Sequence, residues 1–127
     1  MSDPVQRATQ LFQQGYNCSQ SVLTAFAPDL GLPEEIALKI ASPFGGGIAR
    51  SGDLCGVVSG AIMVLGLRYG FTTPGDSPEK ELAYQQVQAY LATFQERHGC
   101  LLCSELQKAE NCPGLVASSA EILAELA

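Results

Sequence analysis

The amino-acid sequence predicts an all-α protein: a single compact, bundle-like domain over residues 1–127, with about six helices around a central apolar helix. Apolar residues recur at spacings of three and four in successive segments, which is typical of amphipathic helices. Capping residues, prolines and glycines flank these segments, and almost no segment alternates as a strand does. Hydrophobic residues make up 46% of the chain and charged residues 16%, a composition that suits a well-filled core.

The first three helices are predicted from their caps and breakers. An Asp or Asn side chain can accept a hydrogen bond from the first helical turn, and acidic residues there suit the helix dipole. In the third helix we expect Ile36 and Ile40 to face inward together with the alanines. The predicted segments are a helix capped by Asp3 and ended by Gly15, a helix over residues 18 to about 27 capped by Asn17, and a helix opened by Pro33, Glu34 and Glu35.

The predicted central helix follows a glycine-rich loop over residues 43–53. Asp53 is a suitable cap for this helix, which is expected to run to about Tyr69. Its sequence is apolar nearly all round, so we expect neighbours to pack on several of its sides. Gly56 and Gly60, four residues apart, leave a flat strip that another backbone can approach closely.

Three helices are predicted in the C-terminal half of the chain. The longest has a buried face that includes Tyr90 and Phe94 at helical spacing. The predicted segments are a long helix, Pro78–His98, capped by Asp76 or Ser77 and ended by Gly99, a short helix over about residues 101–109, and a last helix over about residues 115–126.

Charge and hydropathy narrow the classes of partner and compartment. The net charge of −6 and the pI of about 4.5 disfavour nucleic acid and anionic membrane surfaces as partners. The most apolar stretch, residues 54–67, is shorter than the roughly 20 residues that a membrane span needs. With no targeting segment visible, we expect a cytoplasmic, reducing location where disulfides are rarely permanent. The apolar content permits a helical homodimer, although no face indicates one.

The chain has five cysteines, and three of them are predicted near helix starts. Cys18 follows the cap Asn17, Cys55 lies two residues after Asp53, and Cys112 shortly precedes the last helix. The unpaired N–H groups and positive dipole end of a first helical turn favour a thiolate, the form that attacks disulfides and binds metals. The alternative is that these cysteines simply pack as small apolar side chains.

Cys100 and Cys103 form a C-x-x-C pair, but no predicted strand precedes it, so a thioredoxin-like fold is not indicated. The only histidine, His98, is expected to interact with the carbonyl end of its helix, which leaves zinc with mixed ligands poorly supported. A site with four thiolate ligands, for zinc or an iron–sulfur cluster, stays open.

The glycine-rich loop is a candidate cofactor-binding segment. Bare N–H groups ahead of a helix can bind an anion that Arg50 neutralises, or donate to metal-bound sulfurs. The pattern matches neither G-x-G-x-x-G nor a P-loop, so a tightly turning loop that brings Cys55 beside other residues is the simpler interpretation. The candidate cofactor-binding residues are Gly45, Gly46, Gly47 and Gly56.

These motifs resemble the family named for a C_GCAxxG_C_C pattern, whose name describes its members as redox-active. The glycine motif appears here as residues 55–60, Cys-Gly-Val-Val-Ser-Gly, with Val57 in place of the expected small residue. The resemblance covers nearly the whole chain, through residues 17–23, 45–47 with Gly52, 55–66, 103–106 and Cys112.

This resemblance implies four functional cysteines, Cys18, Cys55, Cys103 and Cys112, and leaves Cys100 outside the set. It also implies an unidentified redox partner, with a link to a transporter system. Three hypotheses follow: a thiol–disulfide or electron-transfer protein, a metal or iron–sulfur protein that uses the same four cysteines as ligands, and a structural or interaction module with packed cysteines.

Overall fold

The computed structural model of the chain describes residues 3–103, 106 and 112–126, and the side chains of residues 112 and 113 lie outside the described part. The structure is 72% helical, which confirms the all-α prediction. None of the described helices is long and apolar enough to cross a membrane. The α-helices in the described residues are α1 Pro4–Gln13, α2 Cys18–Phe26, α3 Glu34–Ala41, α4 Gly56–Tyr69, α5 Pro78–His98 and α6 Cys112–Glu125, with short 3₁₀ turns over Ala27–Leu30 and Ser42–Phe44.

Side-chain caps begin three of these helices as the sequence predicts. Asp3 Oδ1 accepts from Val5 N at 2.9 Å, and Ser77 Oγ accepts from Lys80 N at 3.1 Å. At α2, Asn17 and Gln20 form a reciprocal capping box, which satisfies two N–H groups at once.

Helix α4 lies at the centre of the protein and packs against α2, α5 and α6. Its buried residues include Val57, Val58, Val64 and Leu65, all at most 1% exposed. Burying each such side chain contributes roughly 1.5–3 kcal/mol. The prediction of a central apolar helix is confirmed.

The glycine strip of α4 packs against the first turns of α2. A Cβ atom at Gly60 would lie 2.8 Å from Ser19 O, and one at Gly56 would lie 3.0 Å from Ser19 N. The distance at Gly60 is shorter than real Cβ atoms show, and the distance at Gly56 is tighter than most of them show, so glycine at these two positions permits the close approach of the helices.

The inward face of α3 differs from the prediction. Ile36 and Ile40 are 45% and 48% exposed, whereas Ala37 and Ala41 are fully buried. The isoleucines and the alanines lie on two adjacent stripes of α3, and only one of these stripes can face α2. The small alanine side chains permit a closer approach of α3 to α2. Gln20 of α2 donates from Nε2 to Leu38 O at 3.0 Å, which helps to hold α3 in this rotation.

Three predicted boundaries also change. Asp53 does not cap α4, because its backbone N donates to Gly47 O and its backbone O accepts from Cys103 N, and the helix begins later. Helix α6 begins at Cys112, three residues before the predicted start. Of the predicted helix at 101–109, residues 101 and 102 are not helical, and residues 104, 105 and 107–109 lie outside the described residues.

Candidate functional site

Cys18 is the first residue of α2, directly after the cap Asn17, as predicted. Its Cβ would lie 3.2 Å from a Cβ placed on Gly56. The first turns of α2 and α4 therefore meet at Cys18 and at the residue that follows Cys55. Two positive helix ends converge at this point, which favours negative charge on a nearby sulfur.

Cys55 is the N-cap of α4 rather than a residue of its first turn. It occupies the position that an oxygen-bearing side chain takes in α1, α2 and α5. Its carbonyl accepts from Val58 N and Ser59 N, and the residue is 3% exposed. The positive end of the α4 dipole at this cap favours negative charge on a nearby sulfur.

An isolated antiparallel bridge, Leu54 to Leu102, joins the start of α4 to the segment after α5. Cys55 N donates to Leu101 O at 2.8 Å, and Cys103 N donates to Asp53 O at 2.7 Å. Because side chains alternate along extended backbone, Cys55 and Cys103 project to the same face, opposite to that of Leu54 and Leu102. Leu102 is 44% exposed and Cys103 only 6%, so the cysteine face is the buried one.

The glycine-rich loop forms a left-handed turn beside these cysteines. Residues 46–50 all have positive φ, and three of them, Ile48, Ala49 and Arg50, are not glycine. Left-handed backbone costs about 1–2 kcal/mol per residue that carries a Cβ, so the surrounding structure must hold the turn in place. A Cβ at Gly47 would lie 2.6 Å from the Cβ of Cys103, which shows how closely the turn packs on that cysteine.

A buried hydroxyl pair lies beside Cys55. Tyr90 OH and Ser119 Oγ are 2.7 Å apart, and Ser119 Oγ donates to Val57 O at 2.8 Å. Burial raises the pKa of Tyr90 well above its ordinary value, the hydrogen bond with Ser119 partly offsets this, and the electrostatic interaction with Cys55 raises it further. The phenol is therefore held neutral at the base of the cysteine site.

The remaining candidate residues lie elsewhere or are only partly described. Cys100 is partly buried, and its Sγ accepts from Leu102 N at 3.3 Å. His98 Nε2 lies 2.8 Å from Ser118 Oγ, which links α5 to α6, and its ring packs on that of Phe94. Cys112 is the first residue of α6, but its side chain lies outside the described part.

The described thiols show neither a disulfide nor a metal-ligand cluster. No disulfide joins Cys18, Cys55, Cys100 or Cys103. Among the side chains that the structure describes, no three His, Cys, Asp or Glu residues are grouped so as to hold a metal ion. In this arrangement one metal ion could not be bound by Cys18, Cys55 and Cys103 together. We therefore assign no step to a metal.

Sequence patterns do not reveal three features of the site. The bridge at Leu54 spans one residue pair, too short for an alternating pattern. The left-handed conformation of Ile48 and Ala49 opposes their residue preferences. The pairing of Tyr90 with Ser119 joins helices that are distant in the sequence, although both residues lie on predicted helices.

The fold and the site together define a helical protein that gathers cysteines at helix N-termini under a strained glycine turn. The chain belongs to the family described as "Putative redox-active protein (C_GCAxxG_C_C)", whose model matches residues 16–126. This family assignment confirms the resemblance seen in the sequence and supports a redox role in general terms. No significant match to a curated protein or to a solved structure is found.

Proposed function

We propose that this protein carries out thiol–disulfide exchange through Cys18 and Cys55. The observation that supports this most is the meeting of two helix N-termini, with Cys18 at the first residue of α2 and Cys55 at the cap of α4. Both positions favour a thiolate, the nucleophile in exchange chemistry.

The difference in burial suggests a division of roles between the two cysteines. Cys18 is partly exposed, so its sulfur is the one that a partner disulfide can reach. Cys55 is almost fully buried and directly precedes Gly56, which Cys18 approaches, and in this proposal it serves as the second, resolving thiol. Cys103 lies on the same buried face of the Leu54 bridge as Cys55 and is not assigned to the exchanging pair.

The proposed exchange runs in two balanced steps. The Cys18 thiolate attacks one sulfur of a partner disulfide, so that a mixed disulfide forms and one partner thiolate leaves. The Cys55 thiolate then attacks Cys18 Sγ, which forms a Cys18–Cys55 disulfide and releases the second partner thiol. The partner disulfide gains two electrons and the cysteine pair loses two. Exchange with a reducing dithiol reverses both steps.

The test is a redox titration of the purified full chain, with disulfides mapped by mass spectrometry after alkylation. The wild type should form one reversible disulfide between Cys18 and Cys55. Cys18→Ser and Cys55→Ser should each abolish it. Cys100→Ser is the matched control, because that residue is also partly exposed but lies outside the proposed pair, and it should leave the disulfide unchanged.

Three results would overturn the proposal. One is that all five thiols stay reduced in a large excess of oxidised glutathione. Another is a reversible disulfide that joins a different pair, such as Cys55 and Cys103. Iron and sulfide in stoichiometric amounts in protein purified without oxygen would also contradict it and favour cluster binding.

A further inference from the structure

An open cavity of about 620 Å³ lies between the start of α2 and the left-handed turn. This volume falls in the range of small-molecule sites. The cavity adjoins the proposed exchange site, because one of its lining residues, Asn17, directly precedes Cys18. It is lined by Asn17, Ser42, Pro43, Gly45, Gly46, Ala49 and Arg50.

Among the lining residues that the structure describes, Arg50 is the only charged one. The three salt bridges among the described residues use Arg7, Lys80 and Arg97, and none includes Arg50. The protein has a net charge of −6, so an arginine that lines a cavity and forms no salt bridge with a described carboxylate is unusual on its surface. A guanidinium offers a planar pair of donors that suits a carboxylate.

The backbone that positions Arg50 is strained. Arg50 has φ 67° and follows two other non-glycine residues with positive φ. Its N–H donates to Gly45 O at 3.1 Å, and a Cβ at Gly46 would lie 2.8 Å from its Cα. The turn thus folds back on itself and holds the base of the arginine at the cavity.

We propose that this cavity binds the substrate of the exchange reaction, and that the substrate is a small disulfide or thiol that carries a carboxylate. Arg50 binds the carboxylate, and the sulfur lies toward Cys18. This inference rests on the proposed exchange function and adds the class of substrate to it.

The chemistry follows the two steps given above, with a small anionic disulfide as the oxidant. The Cys18 thiolate attacks one sulfur, and the released anionic thiol leaves through the open side of the cavity. The second thiol leaves when Cys55 attacks Cys18 Sγ. Arg50 takes no part in bond making and acts as a specificity residue.

The test compares the rate of Cys18 oxidation by two probes, oxidised glutathione, which is anionic, and hydroxyethyl disulfide, which is neutral. Arg50→Gln should slow the reaction with oxidised glutathione about tenfold, the loss expected for one charge-assisted contact. Its rate with hydroxyethyl disulfide should match that of the wild type. Arg50→Lys, which keeps the charge, should retain most of the preference for the anionic probe.

Lys80→Gln is the matched control, because it removes the same charge from a residue that does not line the cavity. It should react with both probes as the wild type does. Raised salt should slow the wild type with oxidised glutathione and leave Arg50→Gln nearly unaffected.

The outcomes separate this inference from the proposed function. Equal slowing of both probes by Arg50→Gln, or an equal effect of Lys80→Gln, would overturn the substrate assignment while exchange itself still stands. No reaction of Cys18 with either probe would refute exchange, and the substrate assignment would fail with it.

Discussion

The Tyr90 phenol shows at the level of one residue how burial controls the environment of Cys55. Its hydroxyl lies 2.7 Å from Ser119 Oγ, and the residue is fully buried. Because burial disfavours phenolate, its pKa in the folded protein is raised. A neutral hydroxyl beside a buried sulfur adds no negative charge of its own, so a thiolate at Cys55 meets no repulsion from it.

We predict that Tyr90 makes the protein lose stability at alkaline pH. In the unfolded chain this phenol ionises near pH 10, whereas in the folded protein its pKa is raised. Its contribution to the free energy of unfolding is therefore fully present below about pH 10 and is lost as pH rises towards the folded pKa. Between pH 9 and pH 11 the wild type should lose about 1 kcal/mol more than Tyr90→Phe.

Urea denaturation at the two pH values measures this difference, and absorbance at 295 nm follows tyrosine ionisation directly. The control is Tyr84→Phe, because that ring is 53% exposed, and its pH dependence should match that of the wild type. If Tyr90→Phe and the wild type lose the same stability over this interval, the burial of the phenol does not have the effect that we assign to it.

At the level of elements, the contact between α2 and α4 positions both cysteines of the proposed pair. Gly56 and Gly60 allow the backbone of Ser19 to approach α4. Any change in this distance displaces Cys18 relative to Cys55, since each lies in or next to the packed turns. The contact is therefore both a stability determinant and a support for the site.

Gly60→Ala should destabilise the protein by about 1–3 kcal/mol, because the new methyl group would lie 2.8 Å from Ser19 O and backbone cannot rotate away. Gly66→Ala is the matched control in the same helix. Apart from its chain neighbours and the backbone of its own helix, no atom of the described residues lies within 4 Å of a Cβ at Gly66, so alanine should be neutral or stabilising by up to about 1 kcal/mol. Thermal or urea unfolding measures both variants.

Equal effects of the two alanine substitutions would mean that helix propensity, not the close contact with α2, determines the role of Gly60. Redox titration of a folded Gly60→Ala variant should also show a weaker Cys18–Cys55 disulfide, while Gly66→Ala should show that of the wild type.

Sequence reasoning succeeds where the determinants are local. The caps Asp3, Asn17 and Ser77 and the stop at Gly99 act within a few residues, and the structure has each of them as predicted. Prediction is wrong at Ile36 and Ile40, because the orientation of α3 depends on which stripe packs against α2. That choice is a tertiary one, and two adjacent apolar stripes look alike in the sequence.

The candidate site shows the same division. Cys18 at a helix start could be predicted from its cap, and the glycine run indicates a tight turn. The shift of the α4 cap from Asp53 to Cys55 could not be predicted from the sequence. It results from backbone hydrogen bonds of Asp53 with Gly47 and Cys103, which are contacts across the fold. The left-handed turn could not be predicted either, because isoleucine disfavours the positive φ that Ile48 adopts there.

For the whole molecule, the arrangement around α4 determines how the protein should unfold. Helices α2, α5 and α6 pack on α4, and α1 packs on both α2 and α6. No described helix has a separate core, since all the described buried apolar side chains except Leu11 form one continuous cluster. Removing any of these helices exposes apolar surface on α4 or α2, so partly unfolded forms are disfavoured.

We therefore predict a single cooperative unfolding transition, as the single-domain interpretation of residues 1–127 requires. Circular dichroism at 222 nm follows the helices. The chain has no tryptophan, and the part of the tyrosine fluorescence that Tyr90→Phe removes follows the core, because Tyr90 is fully buried. The two signals should give the same urea midpoint under reducing conditions, and Cys100→Ser should not separate them. If the fluorescence that Tyr90→Phe removes changed at lower urea than the helical signal, the surroundings of Tyr90 would come apart before the bundle does, and the chain would divide into two cooperative units.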